Sequence, residues 1–215
     1  MKNIVVVGGI TPKKFGHEFV TRARSQGHRV KVLTWRPPNQ SLPDTDWGDF
    51  HDLQHVVSKF NSLVQDLDHI DILLYNANGE SYPDNSSFFT STCQPLDVKA
   101  YHNGLDVQVV VPHALSLAAL AKMDHTSSLV FMTTGLALDH KRTGWTHLSG
   151  YAGSKSWQTH LMLAFAHNND KQAISVAISP FFDYQNPERC TATIDRAVNL
   201  ITNLNSEHNG QILHL

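Results

Sequence analysis

Short apolar runs rich in β-branched residues recur along this sequence, and amphipathic segments of helix length separate them. A strand buried on both faces of a parallel sheet has such a run, because helices cover both of those faces. Alternation of the two patterns along the chain is typical of β-α-β units. We therefore predict an α/β fold with a parallel sheet, and the length of 215 residues favours one domain over 1–215.

The periodicity and the turn residues place the individual elements. The predicted strands cover residues 3–7, 29–35, 70–75, 128–133 and 173–178, with 211–215 as a possible closing strand. The predicted helices cover 16–26, 53–67, 107–123, 150–167 and 192–204, and the start of the third helix stays open near Pro112. Residues 40–49 are polar and poor in strand formers, so we expect a loop there.

Charge and composition argue against several classes of protein. A formal net charge of -2 gives no extended basic field for nucleic acid. No apolar stretch reaches 18 residues, so no membrane span is expected. Cys93 and Cys190 lie far apart, without the spacing of a metal site, which favours a reduced, cytoplasmic protein. A small-molecule or protein partner is therefore expected.

The first predicted strand leads into a turn that begins with Gly8 and Gly9 and ends at Gly16, where a helix starts. Glycines let the backbone approach a pyrophosphate, and the helix N-terminus offers N–H groups and a positive dipole end. The turn lacks the GxGxxG spacing, is longer than usual and has a lysine where a middle glycine is expected. It fits either a pyrophosphate-binding turn or an ordinary strand-to-helix turn.

The end of the second predicted strand bears on the type of dinucleotide. An NAD-binding fold has an acidic residue there for the ribose 2′-hydroxyl, whereas this sequence has Thr34, Trp35 and Arg36. Arg36, together with Lys13 and Lys14 of the glycine turn, can pair with a 2′-phosphate. The pattern favours NADP(H).

Tyr151 and Lys155 stand four residues apart in a predicted helix, so they share one helical face. An ammonium beside a phenol lowers the pKa of the phenol towards neutral pH, and the phenol can then pass a proton to a developing alkoxide. This pair suits the reduction of a carbonyl group, with Tyr151 as the acid/base and Lys155 as its electrostatic partner.

These features together resemble the short-chain dehydrogenase/reductase family over nearly the whole chain. The motifs that carry the resemblance are the glycine turn, Asp49-Phe50-His51-Asp52, Asn76-Ala77-Asn78-Gly79, Asp106-Val107-Gln108, Thr133-Thr134, Tyr151-Ala152-Gly153-Ser154-Lys155 and Ser179-Pro180. The resemblance implies a single NAD(P)-binding Rossmann-type domain, with a doubly wound sheet of about seven strands, and an oxidoreductase that transfers hydride between a nicotinamide and a carbonyl or alcohol.

The resemblance also implies roles for individual residues. Thr134 takes the position of the catalytic serine and orients the substrate, and Gln108 replaces an asparagine that supports a proton-relay water. Lys155 binds the nicotinamide ribose besides acting on Tyr151. The expected coenzyme-binding residues are Gly8, Gly9, Thr11, Lys14, Phe15, Gly16, Arg36, Asp49 and Phe50 near the adenine, Asn76, Ala77, Asn78, Tyr151, Lys155 and Pro180.

Two segments bear on the substrate. Trp145 or His147, in the long stretch before Tyr151, contacts the substrate or is an exposed loop residue. Few residues follow Pro180 before the last helix, so the cleft should be open to a flat heterocycle, a bulky substrate or one tethered to a carrier protein. The short lid resembles that of dihydropteridine reductases, which form one alternative. A non-catalytic coenzyme sensor or scaffold is another, motivated by the altered glycine turn and Gln108.

Two further expectations concern metals and assembly. His51 and His55 have the i, i+4 spacing of metal ligands, but the acidic residue differs from the HExxH motif and no third ligand is evident, so we expect no metal. By resemblance alone we expect a homodimer or homotetramer, with Trp157 and His160 as subunit contacts.

Overall fold

The computed structural model describes residues 1–35, 37, 43–77, 98–134, 149–171, 173–180 and 186–215. Its strands are β1 (Asn3–Val7), β2 (Arg29–Thr34), β3 (Thr45–Trp47), β4 (Ile72–Tyr75), β5 (Ser128–Met132), β6 (Ile174–Ser179) and β7 (Ile212–His214). Its helices are α1 (Phe15–Ser25), α2 (Leu53–Leu63), α3 (Val98–Leu105), α4 (Val111–Leu120), α5 (Ser149–Asn168) and α6 (Pro187–Thr202), with a π-helical turn at Asp106–Val110 and a 3₁₀ turn at Ser206–His208.

The seven strands form one sheet in the order β3-β2-β1-β4-β5-β6-β7, and every neighbouring pair is parallel. β1 lies at the centre, where Val6 pairs with Val32 of β2 on one side and with Leu74 of β4 on the other. The chain builds outwards from β1 in both directions. This arrangement confirms the predicted doubly wound, Rossmann-like sheet of about seven strands.

Alternate residues of the central strands pack into two separate cores. Val5 and Val7 of β1 face one core, where α2, α4 and α5 cover the sheet. Ile4 and Val6 face the other core, beneath α1 and α6. Both faces are therefore buried, which explains why the strand sequences are continuous apolar runs.

All six strands that the sequence predicts are present, with bounds that differ by two residues or fewer. The expectation of a loop over residues 40–49 is wrong, because Thr45–Trp47 forms the edge strand β3. The last helix begins five residues earlier than predicted, where Asn186 caps it by accepting a hydrogen bond from the Arg189 N–H at 3.1 Å. Pro187, as its first residue, needs no N–H partner.

The third predicted helix begins well before Pro112. α3 continues into the π-helical turn, in which the Val111 N–H bonds to the Asp106 carbonyl five residues back. Pro112 has no N–H to donate to the Gln108 carbonyl four residues back, so the helix widens at this point instead of ending. None of the helices in the described ranges is long and apolar enough to cross a membrane.

Candidate functional site

The sheet changes direction between β1 and β4, because the chain winds towards β3 on one side and towards β7 on the other. In an open parallel sheet, ligands bind in the crevice outside the carboxyl ends of the strands at such a point. Gly8 follows β1 at this edge, Asn76 follows β4 and Thr133 follows β5. The predicted site residues are thus brought to one edge by the topology.

Two glycines of the turn after β1 are required by close packing. Gly8 has a φ of +134°, and a Cβ on it would lie 2.5 Å from the backbone nitrogen of Ala77. A Cβ on Gly16 would collide with the Gly9 carbonyl oxygen and lie 2.5 Å from Asn76 Nδ2. Asn76 Nδ2 donates to the same Gly9 oxygen at 3.4 Å. The turn is therefore folded against the end of β4.

Gly9 differs from the other two glycines, since no atom of the described residues lies within 4 Å of the position of its Cβ. Open space next to a glycine backbone is what a pyrophosphate requires for close approach. Lys13, later in the turn, has a left-handed φ of +64°. This backbone conformation favours glycine, so a lysine occupies a position that suits glycine better. Lys14 is the N-cap of α1 and makes no side-chain capping bond. The turn and the start of α1 fit a bound dinucleotide.

The remaining predicted residues of the turn divide into exposed and buried ones. Thr11 is exposed, and its carbonyl accepts a hydrogen bond from the Lys14 N–H at 3.1 Å. Phe15 is buried with Phe19 in the core beneath α1, with ring centroids 5.7 Å apart. The Phe15 ring therefore belongs to the core rather than to the surface of the turn.

The ends of β2 and β3 lie next to each other, and the Gly48 N–H donates to the Thr34 carbonyl at 2.9 Å. Asp49 then forms a tight turn, in which its carboxylate accepts the His51 N–H at 3.0 Å and its own N–H donates to His55 Nδ1 at 3.1 Å. Phe50 is 1% exposed and belongs to the core. The placement of Asp49 and Phe50 near an adenine stays a prediction.

Ala77 and Met132 supply two carbonyl oxygens that meet at the carboxyl edge between β4 and β5. Lys155 is 1% exposed, and its ammonium donates to these oxygens at 3.2 and 2.9 Å. It also donates to the Gln158 side-chain oxygen at 3.0 Å. Three oxygen acceptors for three N–H groups allow a charged lysine to be buried.

Tyr151 is half-buried one turn before Lys155, and the ammonium lies 5.9 Å from the centroid of its ring. Thr134, also half-buried, follows β5 at the same edge. The preceding Thr133 is buried, and its hydroxyl lies 3.3 Å from the hydroxyl of Thr159 on α5. The structure thus brings a phenol, an ammonium and a strand-end hydroxyl to the same edge of the sheet.

Gln108 lies in the π-helical turn and is fully buried. Its side-chain oxygen accepts a hydrogen bond from Gln158 Nε2 at 3.3 Å. Sequence reasoning missed Gln158, although it stands three residues after Lys155 and hence on the same helical face. It also missed Tyr75, whose hydroxyl donates to the Val107 carbonyl at 2.5 Å and ties the π-helical turn to β4.

The remaining predicted residues lie after β6, near α2 or outside the described ranges. Pro180 is half-buried directly after β6. Arg36, Asn78, Trp145 and His147 lie outside the described residues. His51 lies 3.5 Å from the Asp106 carboxylate, and within the described ranges no group of three His, Cys, Asp or Glu side chains could hold a metal ion.

The parallel seven-stranded sheet with helices on both faces defines a Rossmann-like architecture. No protein-family model and no curated protein matches the sequence. Among solved structures, a short-chain dehydrogenase/reductase family oxidoreductase from Brucella ovis, in complex with a partially ordered NAD, matches all of this chain and all of its own chain, with a TM-score of 0.79 and 18% identity.

Two further solved structures match over the whole of this chain and 92% of their own. The aldohexose dehydrogenase of Thermoplasma acidophilum has a TM-score of 0.75 and 17% identity. BdcA in complex with NADPH has a TM-score of 0.75 and 15% identity. The chain has the fold of the short-chain dehydrogenases/reductases, as the resemblance of its motifs predicts.

Proposed function

We propose that this protein is an NADP(H)-dependent oxidoreductase of the short-chain dehydrogenase/reductase kind that interconverts a carbonyl compound and an alcohol. The observation that carries the proposal is the buried Lys155 ammonium beside the Tyr151 ring, 5.9 Å from its centroid, at the carboxyl edge of the sheet. Structures with the same fold include an oxidoreductase in complex with NAD and BdcA in complex with NADPH.

Three residues, Lys155, Tyr151 and Thr134, have distinct roles in this reaction. The positive charge of Lys155 favours the deprotonated phenol and so lowers the pKa of Tyr151. Tyr151 donates its proton to the substrate oxygen as negative charge develops there, and takes it back in the reverse direction. Thr134 donates a hydrogen bond to the same oxygen and fixes its position. A nicotinamide coenzyme, when bound, supplies or accepts the hydride.

The turn residues Gly8, Gly9 and Gly16 and the start of α1 would hold the coenzyme's pyrophosphate, and Asn76 and Ala77 would border it. NADP(H) is favoured over NAD(H) because Lys13 and Lys14 are both exposed at this turn, and Arg36 follows β2 within two residues. Cations in the turn after β1 and in the sequence just after β2 suit a 2′-phosphate, because these two strands are neighbours.

The first test is a fluorescence titration of the purified protein with NADPH and with NADH. NADPH should bind more tightly, and Arg36→Ala should weaken NADPH binding about tenfold to a hundredfold while changing NADH binding little. Lys171→Ala, which removes a cation just before β6 at the opposite edge of the sheet, is the matched control. If neither coenzyme binds, the protein is not an oxidoreductase of this kind, and the scaffold alternative takes its place.

A screen of carbonyl substrates with NADPH then tests the chemistry. Tyr151→Phe keeps the ring but removes the acidic hydroxyl, so it should retain NADPH binding and lose about 10²- to 10⁴-fold in turnover. Equal turnover by this variant and the original protein would show that Tyr151 is not the acid.

One observation favours the dihydropteridine-like alternative. β6 ends at Ser179 and α6 begins at Pro187, so the connection that would cover a substrate is short. A short cover leaves room for a flat heterocycle. The screen therefore includes a quinonoid dihydropterin. If it is turned over faster than every ketone and aldehyde, the result supports a dihydropteridine-like reductase.

A further inference from the structure

A chain of three buried polar side chains runs through the core beside the candidate site. It starts at Lys155, continues through Gln158 and ends at Gln108, with donor–acceptor distances of 3.0 and 3.3 Å. Lys155 is 1% exposed and both glutamines are fully buried. Burying two amides costs free energy unless their hydrogen bonds are made, so these two buried glutamines call for a specific role.

The charge of Lys155 fixes the orientation of both glutamine amides in this series of hydrogen bonds. Gln158 must turn its oxygen towards the ammonium, because its NH₂ group would face another donor. Its NH₂ group then faces Gln108, which must present its own oxygen. Reversing either amide would set two donors against each other. The Nε2 of Gln108 is buried without a hydrogen-bond partner in the described part of the chain, at a cost of about 1–3 kcal/mol.

Gln108 is itself held in place from the centre of the sheet. The Tyr75 hydroxyl bonds to the Val107 carbonyl at 2.5 Å, which ties the π-helical turn to the end of β4. Pro112 keeps the turn from closing into a regular α-helix, as its ring nitrogen donates nothing to the Gln108 carbonyl. β4 therefore fixes the position of Gln108, and α5 carries Gln158 and Lys155.

We propose that Gln158 is a positioning residue that holds the Lys155 ammonium next to Tyr151, and that Gln108 acts by fixing which way the Gln158 amide points. Amides do not titrate near neutral pH, so the two glutamines orient the lysine and carry no proton. This inference rests on the proposed function, because it assigns them to the Tyr151–Lys155 pair of that site.

The test measures the deprotonation midpoint of Tyr151 by ¹³C NMR of the full-length protein labelled at tyrosine Cζ, with the signal assigned from Tyr151→Phe. This readout requires neither coenzyme nor substrate. Gln158→Leu should raise the midpoint by about half a pH unit to one pH unit, because the ammonium is held less firmly beside the phenol. Lys155→Met should raise it further, and Gln108→Leu should raise it less than Gln158→Leu.

Two more variants guard against effects on folding. Gln158→Glu keeps the shape and the acceptor oxygen but partly neutralises the ammonium, so it too should raise the midpoint. Thr202→Val, a buried polar-to-apolar change on α6 at the opposite face of the sheet, should leave it unchanged.

The outcomes separate this inference from the proposed function. A raised midpoint in Lys155→Met with no change in Gln158→Leu overturns the role of Gln158 and leaves the proposed function intact. No change in Lys155→Met contradicts the coupling of Tyr151 to Lys155 on which the proposed function depends, and overturns the inference with it.

Discussion

Gly8 and Gly9 are adjacent in sequence but have different reasons to be glycine. Gly8 has a left-handed φ and no room for a Cβ against Ala77. Around the position of a Cβ on Gly9 the described residues leave open space, so none of them requires a glycine there. The structure thus separates a glycine required by the fold from one that a ligand would require.

Alanine at each position tests this distinction. Gly8→Ala should lower the free energy of unfolding by about 2–4 kcal/mol, because backbone strain and a backbone clash act together. Gly9→Ala should keep the stability of the original protein and weaken NADPH binding about tenfold or more, because the methyl group occupies the space for the pyrophosphate. Urea unfolding and the fluorescence titration measure the two effects. Unchanged NADPH affinity in Gly9→Ala would place the coenzyme elsewhere.

The two buried lysines in the described part of the chain show how partner chemistry decides the role of a cation. Lys31, on β2, is 5% exposed and lies 2.7 Å from the Asp66 carboxylate. Its charge is balanced by an acid, as in a structural ion pair. The hydrogen bonds of Lys155 to Ala77, Met132 and Gln158 go to neutral oxygens. Neutral acceptors hold a cation without cancelling its field, which is what the action of Lys155 on Tyr151 requires.

At the scale of elements, Asp66 joins two neighbours in the fold. It follows the C-terminus of α2 by three residues and forms an ion pair with Lys31 of β2. It accepts a hydrogen bond from Lys31, which is the largest cause of its lowered pKa, and the charges of Lys31 and Arg29 lower that pKa as well. A carboxylate with a lowered folded-state pKa stabilises the fold above its ordinary pKa of about 4, and this contribution is lost as the pH falls through the folded-state pKa.

We therefore expect Asp66→Asn to be less stable than the original protein at pH 7 and the difference to shrink below about pH 4. Urea unfolding at several pH values between about 2.5 and 7 measures it. Asp68→Asn, at an exposed position with no ion pair to any described residue, is the control and should show no such dependence. A stability difference that is constant across this range would mean that Asp66 acts without its charge.

The elements differ in how far sequence determines them. Strands β1, β4 and β5 are apolar except for Asn3 and Ser128 at the starts of β1 and β5, and the sequence predicts them because burial on both faces favours apolar residues. β3 was missed because it is three residues long at the sheet edge, and its sequence Thr45-Asp46-Trp47 has no buried residue. The start of the helix near Pro112 stays open in the sequence, because a proline is favoured in a first helical turn and disfavoured in a helix interior. The π-helical turn that accommodates Pro112 has no signal in the sequence.

At the scale of the whole molecule, the candidate site draws on strand ends that are far apart in sequence. The motifs predict Gly8, Asn76, Thr134 and Tyr151 at one edge, because parallel strands end together. Contacts between side chains of different elements, such as that of Gln158 with Gln108, leave no local signal in the sequence. The burial of Phe50 was likewise not predictable, since an aromatic residue after a strand suits a core and a pocket equally.

The outer faces of α4 and α5 carry large exposed apolar side chains. Trp157 on α5 is 62% exposed, and Leu117 on α4 is 56% exposed. The two helices are neighbours, as the edge-to-face contact of His113 with Phe165 shows, with ring centroids 5.8 Å apart. Exposed apolar side chains on adjoining helices are typical of a protein–protein contact. We propose that this surface joins two copies of the chain.

Introducing a charge at this surface tests the proposal. The original protein should form a dimer or tetramer, and Trp157→Glu should shift it towards the monomer, because two like charges and their desolvation would oppose the contact in a symmetric interface. Leu53→Glu, at a 41% exposed apolar position on α2, is the matched control and should leave the assembly unchanged. Sedimentation velocity over a range of concentrations measures both variants. A monomeric original protein, or an oligomer that Trp157→Glu leaves intact, would show that this face is not the interface, whereas selective dissociation would place Trp157 between the subunits.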